Sequence, residues 1–168
     1  MEETNKIIYV KTDKHYEMET QVDFKQITCR IYQTNTQEIP NFSGEWITIG
    51  FDEENEDTDN LHDNVINNSR ITIPEGKSGK YMILGQVIFS ENPDGIRSLR
   101  LIKNGTEILV VDSDPATSDD YGGENIVTIE NLEEGDYIEL QVKQTSGVTL
   151  QTVGGREYTY FCVNNYNF

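Results

Sequence analysis

Thiols are scarce in this sequence. Cys29 and Cys162 are the only two, far apart and without the paired spacing of a zinc site, so neither a disulfide framework nor a structural metal is indicated and two buried thiols are expected. Basic side chains are scarce too: 13 Lys and Arg face 30 Asp and Glu, a formal charge of −17. That balance repels phosphate backbones and anionic lipid and leaves no basic stripe, which excludes nucleic acid as a partner. No apolar run approaches the roughly 20 residues of a membrane-spanning helix, so no membrane insertion is expected. The opening "MEETNKIIYV" has neither the positive start nor the apolar run of a secretion signal, and synthesis in a cytoplasm is expected. Finally, no apolar stripe keeps helical spacing for long, which leaves strands to build the core.

Strand-like runs are present throughout, punctuated by Gly, Asn, Asp and Pro: "VDFKQITCRIY", "EWITIGF", "SRITIP", "KYMILGQVIF", "IRSLRLIKNG", "TEILVVD", "ENIVTIENL", "YIELQVKQ" and "REYTYFCVNNY". The chain is therefore read as all-β, with short antiparallel strands in a sandwich or barrel. Asn104-Gly105 marks a tight hairpin, because both central positions of a type I′ turn need positive φ. In "YIELQV" one face is apolar (Ile138, Leu140, Val142) and the other is wet. "KYMILGQVIF" differs: Tyr81, Ile83, Val87 and Phe89 share one face, and Met82, Leu84 and Ile88 the other. The last run repeats this, with Tyr158, Tyr160 and Cys162 opposite Thr159, Phe161 and Val163. A small sandwich buries one face of each sheet, so strands apolar on both faces imply an oligomer. Tyr81, Met82, Leu84, Tyr158, Tyr160 and Phe161 are accordingly assigned to subunit interface or core, without deciding which face is which.

Two acidic stretches are the chemical candidates. Six carboxylates lie between Asp52 and Asp59, followed by His62 and Asp63, and the run is read as a solvated connection leading into the Ile71–Ile73 strand. "VDSDPATSDDYGGEN" is read as a second loop. Asp57, Asp59 and Asp63 in the first, and Asp112, Asp114, Asp119, Asp120 and Tyr121 in the second, are candidate cation or receptor contacts. The first run lacks the glycine hinge and ligand spacing of an EF-hand, and one histidine among carboxylates is poor support for a transition metal, so no cofactor is expected, with calcium as the alternative. His15 and His62 are read as surface residues, and Trp46 as core or interface. No nucleophile context accompanies either histidine, so no catalytic residue is assigned.

From Trp46 to Tyr166, the order "WITIGFDEENEDTDNLHD", "SRITIPEGKSGKYMILGQVIF", "LRLIKNGTEI", "IVTIENLEEGDYIELQV", "YTYFCVNNY" resembles the complement-component-1q globular head, a jelly roll related to tumour necrosis factor. The resemblance implies a compact homotrimer with its first and last strands adjacent. The Asn-rich style is similar to versions found in tailed-bacteriophage virion proteins. That implies a non-enzymatic virion part, a fibre or decoration head, which contacts a host-surface glycan or protein. A soluble bacterial adhesin with the same head is the second reading and a glycan-cleaving enzyme the third. Composition shifts near Pro40, so residues 1–40 are expected to be an attachment segment and 41–168 the head. Ile7, Ile8, Tyr9, Phe24 and Ile27 would then add to a sheet edge of a capsid, collar or tail protein. The alternative is that these strands pair with the head's own sheet.

Overall fold

The computed structural model describes residues 6–11, 16–21, 26–41, 45–116 and 122–165, the first two segments as paired backbone. Every regular element among them is a strand, and all pairings are antiparallel. β1 (Lys6–Lys11) and β2 (Tyr16–Gln21) form a ribbon. The head is a jelly roll of two five-stranded sheets. One runs in the order β11 (Gly122–Leu132), β8 (Gly79–Phe89), β14 (Tyr160–Asn165), β3 (Thr28–Tyr32), β6 (Glu53–Asp57). The other runs β10 (Glu107–Pro115), β9 (Ile96–Lys103), β12 (Tyr137–Gln144), β5 (Ile47–Thr48), with β7 (Arg70–Thr72) also paired to β12. A short ribbon of β4 (Glu38–Ile39) and β13 (Leu150–Gln151) completes the strand set.

The core fills the space between the sheets with the residues that alternation places inward. Tyr81, Ile83, Val87, Phe89, Phe161 and Val163 come from one sheet, and Leu99, Leu101, Ile138, Leu140 and Val142 from the other, each at most 1% exposed. Phe161 stacks on Phe51 at 5.9 Å between centroids. Fully burying such a side chain contributes about 1.5–3 kcal/mol. The sheets approach closely at Gly85, where a Cβ would stand 2.6 Å from Leu140 Cδ1, so a larger residue there would force Leu140 to shift. The hairpin between β9 and β10 has the expected turn, with φ of 52° at Asn104 and 72° at Gly105.

Two expectations need correction. The boundary at residue 40 cuts through the head: β3 is hydrogen-bonded between β14 and β6, while Cys29, Ile31 and Ile39 are fully buried. Ile27, assigned to attachment, is 5% exposed in the core, and its carbonyl accepts from the Asn165 amide at 2.8 Å. Residues from about 26 onward thus belong to the head, which leaves Ile7, Ile8 and Tyr9 in the β1–β2 ribbon; Phe24 lies outside the described residues. The second correction concerns the acidic run at 52–59. Most of it is a strand, β6, on the sheet's edge. Charge on an edge strand is physically apt, because it discourages further strand addition.

Candidate functional site

The two strands whose sequences are apolar on both sides in "KYMILGQVIF" and "YTYFCV", β8 and β14, are neighbours in the β11-β8-β14-β3-β6 sheet. Register puts the sheet's outward residues in rows. Val127, Leu84, Cys162 and Arg30 form one row, Ile129, Met82, Asn164 and Thr28 a second, and Asn125, Gln86, Tyr160 and Tyr32 a third. Ile88 lies over Gly123, where a side chain would collide with it. Val127 is 61% exposed, Ile129 54% and Tyr158 41%, while Met82, Leu84, Ile88 and Tyr160 are half-buried. The polar members are tied down. Arg30 lies 4.2 Å over the Tyr160 ring and donates to the Arg156 carbonyl, and Gln86 donates to the carbonyls of Glu157 and Tyr158. In a chain with 30 acidic residues, the described outward positions of β11, β8, β14 and β3 carry no carboxylate; acid begins at the edge, with Glu53 and Glu56 on β6. Apolar surface without like charge is what self-association needs.

The interface-or-core assignments now separate. Met82, Leu84 and Tyr160 belong to the outward face, and Tyr158 is exposed in the turn that leads into β14. Tyr81 and Phe161 are fully buried, with the Tyr81 hydroxyl donating to the Lys77 carbonyl at 2.6 Å. Both thiols are buried, and burial pushes both above their ordinary range. Trp46 is not core: it is half-exposed, with Arg100 at 4.3 Å and Lys143 at 4.8 Å over its ring. His62 is not on the surface either; it is 9% exposed, and its Nδ1 lies 2.9 Å from the Arg70 carbonyl. His15 lies outside the described residues.

Of the acidic candidates, the first group is not brought together as a cage. Asp57 accepts from the amides of Asp59, Leu61 and His62, and Asp63 from those of Val65 and Ile66. Asp59 pairs with Lys77 at 3.2 Å. Asp52 accepts from the Thr34 amide and hydroxyl and from the Asn35 side chain. These carboxylates hold turns. Burial opposes the charge on Asp52, but its donors from Thr34 and Asn35 outweigh burial and hold its pKa below the ordinary carboxylate value.

In the second group, Asp112 and Asp114 sit on strand β10 rather than in a loop, while Asp119, Asp120 and Tyr121 lie outside the described residues. Asp112 and Asp114 are opposite Leu99 and Arg97 in the ladder, on the side of β10 that faces the other sheet. There they meet Glu124 of β11, which sequence reading missed, and a carboxylate oxygen from each of the three lies within 4.8 Å of the others. The signal was present, since Glu124 occupies the inward parity of Ile126 in "GENIV". Glu124 is 3% exposed and is pushed up to about 7 by burial and by Asp114 and Asp112, with only Arg97 opposing.

Comparisons with known proteins bear on the fold. No family model matches the chain. No curated protein matches it either. Among solved structures, murine APRIL at pH 5.0 superimposes with a TM-score of 0.63 at 12% identity, covering 84% of this chain and all of that one. Eiger TNF from S. frugiperda superimposes with a TM-score of 0.57 at 12% identity, covering 84% of this chain and 93% of that one. The fold is thus a tumour-necrosis-factor-like jelly roll, and the share covered is larger than residues 41–168 alone could supply.

Proposed function

We propose that the chain is a non-enzymatic homotrimeric head, the structural or recognition module of a bacteriophage fibre or capsid decoration. The observation that carries the self-association is the outward face of β11, β8, β14 and β3, apolar at Val127, Ile129, Met82, Leu84 and Ile88 and free of carboxylate at its described positions. Three copies that turn this face toward a common axis cover it without bringing like charges together, and leave the acidic β6 edge and the opposite sheet to solvent. The β1–β2 ribbon precedes the head and is the element for attachment to a capsid, collar or tail protein by strand addition. The virion setting draws on the resemblance of "SRITIPEGKSGKYMILGQVIF" and the final aromatic strand to phage head domains, and host-surface glycan or protein is the partner that setting supplies.

Mass spectrometry of purified particles tests the setting and light scattering tests the assembly. The expected results are peptides of this chain in fixed stoichiometry with a particle protein, and a molar mass three times that of the chain. Particles devoid of the chain would refute the virion role, and a monomer at micromolar concentration would refute the trimer.

A further inference from the structure

We propose that Asp112, Asp114 and Glu124 form a binding site for a hard divalent cation of the calcium class, which ties together the edge strands of the two sheets. β10 is the edge of one sheet and β11 the edge of the other, so the three carboxylates close the open side of the sandwich. Proximity of acids alone would not make a site; the further observation is the state of Glu124. At 3% exposure, its carboxylate has no hydrogen-bond or ion-pair partner among the described residues, and it points at two further carboxylates. A buried acid in that position is held charged only by a countercharge and otherwise takes up a proton. The nearby Arg97 guanidinium offsets that charge only in part: its terminal nitrogens donate to the carbonyls of Asp94 and Asn92 at 2.9 Å each rather than to the carboxylate.

The donor set selects the ion. It is all oxygen, with no imidazole or thiolate, which disfavours zinc and copper. Three carboxylates supply part of the six to eight oxygens that calcium takes at about 2.3–2.6 Å, with water for the remainder, and only modest closure of a 4.8 Å cluster is required. The proposal does not depend on assembly, because all three side chains come from one chain.

The test uses the full chain, stripped with chelator and studied at about pH 8, where carboxylates are charged. Calorimetric titration with calcium chloride should give one saturable site per chain and a melting temperature that rises with free calcium by mass action. Glu124→Gln, which preserves size and removes the buried charge, should lower calcium affinity at least tenfold while the protein stays folded. Asp63→Asn, in a carboxylate outside the cluster, should leave the calcium response intact. The proposal is overturned by a melting temperature that does not respond to calcium, by a response reproduced with potassium chloride at equal ionic strength, or by an equal response in wild type and Glu124→Gln. Greater stability of Glu124→Gln together with no calcium response would assign the cluster to a shared proton instead, and would equally overturn it.

Discussion

Replacing Val127 and Ile129 together by Asp separates assembly from folding. Both side chains are on the outward face of β11, 61% and 54% exposed, so the subunit core does not depend on them. Covering the exposed remainder of each contributes about 1–2 kcal/mol, or about 6–12 kcal/mol over the two positions in three subunits. In the proposed trimer the change removes that term and places six carboxylates in the contact, which adds repulsion. Trimerisation should therefore weaken by roughly four or more orders of magnitude in the association constant. Sedimentation velocity over a range of concentrations reads this directly, with circular dichroism to show that the sheets persist. Val148→Asp is the control: it is 53% exposed, but lies in the turn between β12 and β13, away from this face. A folded double variant that still sediments as a trimer would refute the assignment of the face, as would an equal loss of assembly in Val148→Asp.

Further outcomes follow from particular contacts. Gly85→Ala should cost about 1–3 kcal/mol, because its Cβ meets Leu140; adding Leu140→Val should return part of the loss, and strict additivity in urea denaturation would refute the steric account. Asp52→Asn should cost about 1 kcal/mol at neutral pH, allowing for solvent screening. The folded pKa of Asp52 is lowered, so its contribution is complete above the unfolded value and is lost as pH falls through the folded one; a wild-type minus variant difference that stays constant down to strong acid would refute this. A chain begun at Gln26 should unfold cooperatively, whereas one begun at Ile39 lacks β3 from between β14 and β6 and should be insoluble or lack a thermal transition; an unchanged melting temperature in the shorter chain would show that β3 is dispensable.

What the sequence determined by itself is what the pleated backbone enforces locally. Period-2 alternation established the strands and the doubly apolar character of "KYMILGQVIF", and Asn104-Gly105 established its hairpin, because side-chain direction and turn dihedrals depend only on neighbouring residues. Alternation is symmetric between a strand's faces, so it could not say that Phe161 is core and Tyr160 outward. That choice came from tertiary packing, which put Phe51, from the connection between β5 and β6, against Phe161 and left Tyr160 beneath Arg30. β3 looked like part of an appendage, because its partners β14 and β6 were invisible from its own residues. The same holds for the acids. Crowding in sequence at 52–63 gave an edge strand and local contacts, since Asp52, Asp57, Asp59 and Asp63 each found an amide or lysine, whereas Glu124 joined Asp112 and Asp114 from the other sheet. A local pattern fixes which way a side chain can point, and only the pairing of distant strands decides what it meets there.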